Sequence, residues 1–134
     1  MRGGRRAGNL PDVVAVVYSE IHETLRSAVP EFRPSIDEHI AAYDEVLPHV
    51  LFGELTRFVI AAQRRGDREL TGKCLHFLDF AIREGDPMVK NLVAVSFVEN
   101  VLPGSADTSA FIESWPEGLL SEAERQRDWK RGRA

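Results

Sequence analysis

The side chains in this sequence that could bind a metal ion are four histidines, one cysteine and 21 carboxylates. Asp44, Glu45 and His49 are close enough in sequence for two or three ligands to meet at one corner. Pro48 lies between them and is expected to break the helix, so the three side chains would not share one helical face. A capping or surface role for His49 is therefore favoured. The sequence predicts no metal site and no cofactor.

No set of residues carries the signature of a catalytic centre. The glycines form no phosphate-binding loop, and no serine lies in a nucleophile elbow. Cys74 and His76 would point in different directions on a helix, and Cys74 falls in an apolar stripe, so we expect it in the core. Carboxylates on the outer faces of helices usually interact with solvent. The sequence therefore predicts that the protein is not an enzyme.

The formal net charge of −4 is unevenly distributed along the 134 residues. Eight of the 17 Lys and Arg residues lie near the two ends, whereas residues 10–120 carry nine Lys and Arg against 18 Asp and Glu. Residues 10–56 are especially acidic, with nine Asp and Glu against Arg26 and Arg33. This surplus argues against nucleic-acid binding by the body of the protein, because phosphate contacts need positive charge.

The acidic segment has two interpretations that stay open at this point. It can be a solvated surface, which is common in soluble proteins. It can also be a docking face for a basic protein partner, since complementary charge speeds encounter and sets the register. In the second case five carboxylates would steer and pair the partner, and an aromatic ring would anchor it. The predicted partner-binding residues are Asp37, Glu38, Tyr43, Asp44, Glu45 and Glu54.

The spacing of apolar residues predicts an all-α fold, a single domain of about five to six helices packed as antiparallel hairpins in a HEAT-like or armadillo-like manner. The first helix is predicted from Pro11 to Ala28, although residues 13–18 are also suited to a strand because most are β-branched. Pro30 and Pro34 then predict an extended link.

A second helix is predicted over Ile36–Val46. Ser35 and Glu38 match a capping box at its start, and its inward side chains would be Ile36, Ile40 and Tyr43.

Further helices are predicted over residues 48–65, 67–84 and 88–102, followed by a weakly anchored, charged helix over 119–130. Two Gly-Asp pairs, at residues 66–67 and 85–86, are expected to end one helix and cap the next. They belong to a short repeat with an offset of 19 residues, which fits either a helical solenoid or turns that have converged. The segment 88–102 is apolar on nearly every side, which predicts a central helix.

Polar residues inside these helices carry further expectations. Asn91, Ser96 and Asn100 are expected to form hydrogen bonds between neighbouring helical turns, because buried polar groups need partners. Two i,i+4 ion pairs are expected on the solvent side of the 67–84 helix, namely Glu69–Lys73 and Asp79–Arg83.

Two segments together resemble a known family. They are Tyr43-Asp-Glu-Val-Leu-Pro-His-Val-Leu-Phe-Gly-Glu-Leu-Thr-Arg-Phe58 and Asn91-Leu-Val-Ala-Val-Ser-Phe-Val-Glu-Asn100. The resemblance covers about residues 30–102 and is to small bacterial all-helical proteins without assigned activity. Some of these look like immunity proteins encoded beside polymorphic toxins. It implies a helical fold and supplies no catalytic residues.

Together these features predict a protein-binding module, an immunity protein that neutralises a toxin by docking through its acidic face. A HEAT-like scaffold and a small-ligand or metal-dependent regulator are the alternatives. Residues 1–9 are expected to be a disordered basic tail, 10–120 the helical domain, and 121–134 a charged helix and basic tail. The single cysteine and the lack of a membrane-length apolar run predict a cytoplasmic protein that makes no membrane contact.

Overall fold

Seven α-helices joined by short turns make up most of the computed structural model, which describes residues 16–102 and 106–133. Helix α5 begins as Pro87–Val93 and continues through a π-helical turn, Ala94–Val98, into Glu99–Val101. The other six are α1 (Ile21–Ala28), α2 (Arg33–Tyr43), α3 (Pro48–Arg64), α4 (Arg68–Glu84), α6 (Ala106–Glu113) and α7 (Glu117–Arg133). The predicted all-α fold of a single domain is confirmed, whereas HEAT-like packing stays a prediction.

Helix α4 is the centre of the domain, because it packs against α1, α3, α5 and α7. It buries the predicted apolar stripe, including Cys74, which has no exposed surface. The prediction that residues 88–102 form the central helix is wrong, since Met88 and Val95 on α5 are 57% and 39% exposed. Helix α5 packs against α3 and α4, and α7 contacts its π-helical turn, but these contacts leave Met88 and Val95 exposed.

The first described residues, Val16 and Val17, are extended and not helical. Val16 forms an isolated parallel β-bridge with Gly85, and the Asp86 N–H donates to the Val16 carbonyl at 3.0 Å. A 3₁₀ turn, Tyr18–Glu20, then leads into α1. The predicted helix over 11–28 is therefore wrong at Val16 and Val17, because Val16 pairs with Gly85 and Val17 is extended. Residues 1–15, including the predicted tail, lie outside the described part of the chain.

The predicted extended link and capping box before α2 are also wrong. Pro30 begins a 3₁₀ turn, Pro30–Phe32, and Pro34 lies in the first turn of α2, where its missing N–H leaves no helical bond unmade. Ser35 is consequently inside the helix and caps nothing. The helix ends at Tyr43, three residues earlier than predicted, with Asp44 in the left-handed conformation at φ 60°.

Both Gly-Asp turns cap the following helix as predicted. Asp67 accepts a hydrogen bond from the Leu70 N–H, and Asp86 accepts one from the Val89 N–H. The two glycines nevertheless differ, because Gly66 is left-handed at φ 78° whereas Gly85 is extended at φ −82°. The sequence repeat is thus not a repeat of backbone conformation.

Helix α7 is anchored more firmly than predicted, because the Asp79 carboxylate on α4 caps its first turn. Asp79 Oδ1 accepts from the N–H groups of Gly118 at 2.8 Å and Leu119 at 3.2 Å, and its Oδ2 accepts from Arg83 Nε at 2.9 Å. The Asp79–Arg83 pair therefore forms, but Asp79 is buried instead of lying on the solvent side.

The other predicted ion pair on α4, Glu69–Lys73, is replaced by one to another segment. Lys73 Nζ lies 2.8 Å from Glu31 Oε2, so it connects α4 to the 3₁₀ turn before α2. Among the described residues, no helix is both long and apolar enough to cross a lipid bilayer.

Candidate partner-binding groove between α2 and α3

A groove of about 530 Å³ lies between helices α2 and α3. Its walls combine apolar side chains with carboxylates and one guanidinium group. The residues that line this α2–α3 groove are Phe32, Ser35, Glu38, His39, Ala42, Tyr43, Glu54, Arg57 and Phe58.

Three of the six predicted partner-binding residues lie in this groove, namely Glu38, Tyr43 and Glu54. Asp44 and Glu45 follow Tyr43 in the loop after α2, and both are exposed. The structure therefore brings together Glu38 on α2 and Glu54 on α3, which are 16 positions apart in the sequence.

Asp37 does not line the groove. Its Oδ1 lies 2.9 Å from the Arg26 Nη1 on α1, so this carboxylate is already paired on another side of α2. The expectation that Asp37 shares one face with Glu38 fails because adjacent helical residues are about 100° apart around the axis.

His39 lies in the groove wall, although no role was predicted for it. Its side chain is fully buried, and its Nε2 accepts a hydrogen bond from the Leu47 N–H at 3.0 Å. Since Nε2 is the acceptor, that bond assigns the proton of the neutral ring to Nδ1. Nδ1 lies 3.5 Å from Glu54 Oε1 but forms no hydrogen bond with any described residue. The groove thus contains a buried N–H donor that is not satisfied.

The signal for His39 was present in the sequence. With Ile36, Ile40 and Tyr43 it completes the i, i+3, i+4, i+7 spacing of a buried helix face. Tyr43 was expected to point inward, but its position just before the turn leaves the residue 45% exposed. The ring packs against the imidazole of His39 with 4.8 Å between the centroids. Tyr43 therefore covers the buried histidine and also offers an aromatic surface to solvent.

The charges in the groove are only partly compensated. Glu54 keeps 28% of its side chain exposed beside His39. Neither Glu38 nor Arg57 forms an ion pair with another described residue, and Arg57 is the one basic side chain in the groove lining. Two carboxylates against one guanidinium, with Asp44 and Glu45 in the adjoining loop, give this region a negative balance.

One family model matches the chain over residues 22–130, which include the whole of the α2–α3 groove. Its description is "Domain of unknown function (DUF7674)". The chain belongs to the DUF7674 family. No curated protein and no solved structure matches it. Membership agrees with the expected family of unassigned activity and assigns no site residues.

A second polar cluster in this DUF7674 domain surrounds the π-helical turn of α5. The carbonyl of Ser96 accepts from Thr56 Oγ1 and from Asn100 Nδ2, each at 2.8 Å, and Ser96 Oγ lies 2.7 Å from His49 Nδ1. The predicted bond between neighbouring turns is confirmed for Asn100, whereas the Ser96 hydroxyl pairs with His49 on α3 and Asn91 is exposed. These bonds satisfy a carbonyl in a turn whose helical bonding is irregular, so they give the cluster a structural role.

The alternative of a metal site at the corner of Asp44, Glu45 and His49 is not supported by the geometry. His49 is turned toward Ser96, and within residues 16–102 and 106–133 no group of three or more His, Cys, Asp or Glu side chains could hold a metal ion. Cys74 is buried in the core as predicted, and burial raises the pKa of its thiol to about 12.

Proposed function

We propose that this protein is a protein-binding module that docks a basic partner at the α2–α3 groove, and that the partner is a bacterial toxin which it neutralises as an immunity protein. The observation that carries the proposal is the set of accessible carboxylates around Tyr43. Glu38, Asp44 and Glu45 are exposed, and none of them forms an ion pair with another described residue. These carboxylates lie in or beside the α2–α3 groove and the exposed ring of Tyr43, and this placement distinguishes them from other charged residues of the surface.

The charge and the shape of the region support a protein partner. A groove with an exposed aromatic ring and a rim of acids has the composition of an interface, in which aromatic residues anchor and surrounding charges steer. Such charges raise the rate of encounter with an oppositely charged surface and make that rate sensitive to salt. The choice of a toxin as the partner rests in addition on the resemblance to immunity proteins. A toxin with a basic nuclease domain would carry the positive charge that this region can bind.

The test is a binding measurement against the product of a neighbouring toxin gene. The triple variant Glu38→Lys, Asp44→Lys and Glu45→Lys should weaken binding by at least about tenfold, because it reverses the charge that meets the partner. The same variant should no longer protect cells that express the toxin. Calorimetry gives the affinity, and growth of the co-expressing cells gives the protection.

A matched control changes the same charge elsewhere. Glu69→Lys, Glu84→Lys and Glu113→Lys are three exposed positions outside the groove, and this triple variant should retain binding within about twofold. An equal loss in both triple variants would mean that net charge, and not the groove, governs binding. Full affinity in the groove variant would reject the site, and capture of an endogenous protein without any toxin would favour a scaffold.

A further inference from the structure

We infer that the α2–α3 groove binds an arginine side chain of the partner, with the guanidinium paired to Glu38 and Glu54 and stacked on Tyr43. This inference rests on the proposed function, because it names the group that the docked partner inserts. Its support is the chemistry of four side chains that the fold brings together from two helices.

The buried histidine shows that the groove is more than a cluster of acids. His39 is fully buried, lines the groove, and carries an N–H at Nδ1 that no described residue satisfies. Buried donors are normally hydrogen-bonded, and a guanidinium offers no acceptor, so this N–H needs an acceptor from the groove itself. Glu54 Oε1 lies 3.5 Å from this nitrogen. A cation that draws Glu54 into the groove would bring this carboxylate to the waiting donor.

The aromatic ring favours a guanidinium over an ammonium group. Tyr43 is 45% exposed, and its ring centroid lies 4.8 Å from that of His39. A planar guanidinium stacks on such a ring and can reach two carboxylates at once, whereas an ammonium is a compact and strongly hydrated charge. Glu38 on α2 and Glu54 on α3 supply carboxylates from both walls.

Arg57 provides a specific check, because it is the like charge in the groove lining. Its guanidinium lies over the neighbouring turn of α3, 4.0 Å from where a Cβ would stand on Gly53. It would repel an incoming arginine, so its removal should strengthen binding. A merely structural groove would not respond in opposite directions to loss of Glu54 and loss of Arg57.

The experiment is an NMR titration of the full chain with N-acetyl-arginine amide. Saturable chemical-shift changes are expected at the Leu47 N–H, which is hydrogen-bonded to His39, and at the Tyr43 ring. The dissociation constant is expected in the millimolar range. N-acetyl-lysine amide should bind more weakly. N-acetyl-citrulline amide, which keeps the shape and lacks the charge, should bind about tenfold more weakly. Equal shifts with citrulline, or no shift at these two residues, would overturn the inference.

Variants then test the assigned residues with the same probe. Glu54→Gln should weaken arginine binding about fivefold, and Arg57→Ala should strengthen it by a smaller factor. Asp37→Asn, which alters an acid of α2 outside the groove, should leave it unchanged. If Glu54→Gln and Asp37→Asn behave alike, the groove assignment is wrong.

The outcome is separable from that of the proposed function. Arginine amide bound in the groove without any toxin binding would uphold this inference and refute the proposed function. Toxin binding that depends on Asp44 and Glu45 but not on Glu54 or Tyr43 would uphold the proposed function and refute this inference.

Discussion

At the scale of single residues, Asp79 and His39 show two fates of a buried polar group. Asp79 has three donors around its two oxygens, from Arg83, Gly118 and Leu119. His39 satisfies one ring nitrogen and leaves the other without a hydrogen bond. A satisfied buried carboxylate stabilises the fold, whereas an unsatisfied donor costs stability. Asp79 therefore has a structural role, and His39 is the better candidate for a functional one.

Replacing Asp79 should destabilise the protein strongly. Asp79→Ala removes the acceptor of two N–H groups in the first turn of α7, and we expect the free energy of unfolding to fall by about 2–3 kcal/mol. Chemical denaturation followed by circular dichroism measures it. Glu84→Ala on the exposed end of α4 is the control and should change stability by less than about 0.5 kcal/mol. A similar small change for Asp79→Ala would show that α7 does not depend on this cap.

At the scale of helices, the two Gly-Asp turns use glycine for different reasons. Gly66 has a left-handed φ of 78° with open space around its Cα, so only its backbone conformation requires glycine. Gly85 has an ordinary φ but no room, because an added Cβ would overlap the Val89 side chain and lie 2.5 Å from the Ala81 carbonyl oxygen. Because Gly85 has no side chain, the start of α5 can pack closely against the end of α4, and Gly85 can still form the β-bridge with Val16.

These two causes predict different costs for the same substitution. Gly66→Ala should lower the free energy of unfolding by about 1 kcal/mol, the cost of a left-handed alanine. Gly85→Ala should lower it by about 3 kcal/mol, because the backbone of α4 or the start of α5 must move. Thermal and denaturant unfolding of the two variants compares them directly. A larger loss for Gly66→Ala would contradict the crowding at Gly85.

At the scale of the whole molecule, Asp86 connects two segments that are far apart in the sequence. Its carboxylate accepts from the Tyr18 N–H at 2.9 Å and from the Val89 N–H at 2.8 Å, so it joins the segment before α1 to the start of α5. These backbone hydrogen bonds, that of Tyr18 foremost, hold the pKa of Asp86 below its usual value of 3.8. A hydrogen bond from Lys73 similarly lowers the pKa of Glu31.

This link should make part of the stability depend on acid. Because folding lowers the pKa of Asp86, the unfolded chain binds more protons, and the contribution is complete above pH 3.8 and lost as the pH falls through the folded pKa. Asp86→Asn keeps a capping oxygen but lacks the charge. Its deficit relative to the natural chain should therefore be present at neutral pH and shrink below pH 3.8. Urea unfolding of both proteins at several pH values measures this, and a constant deficit would contradict it.

The helices of this fold could be read from the sequence wherever a local signal determined them. Both ends of α3 and the start of α4 follow from Pro48, Gly66 and Asp67, whose effects act within one turn. The β-branched residues 13–18 allowed a strand, but the pairing of Val16 could not be predicted, because its partner is Gly85, 69 residues away. Local helical spacing has no information about such a pairing.

The groove was only partly predictable for a similar reason. Charge counting found Glu38 and Glu54, but whether an acid is free depends on its neighbours in space. Arg26 pairs with Asp37, which a count along the chain cannot show. The role of His39 depends on the Leu47 N–H, which reaches it only because the loop after α2 turns back.

Because Cys74 is buried, its reaction with a thiol reagent can measure how often the core opens. It is the single thiol of the chain, it lies on the central helix, and its pKa of about 12 keeps it unreactive while it is enclosed. Labelling by a thiol reagent therefore requires the core to open, and when reclosing is faster than labelling the rate measures the free energy of that opening. The natural protein therefore needs no engineered probe. If a bound partner stabilises the core against opening, the rate at which Cys74 is labelled falls, and this rate can be measured in a mixture.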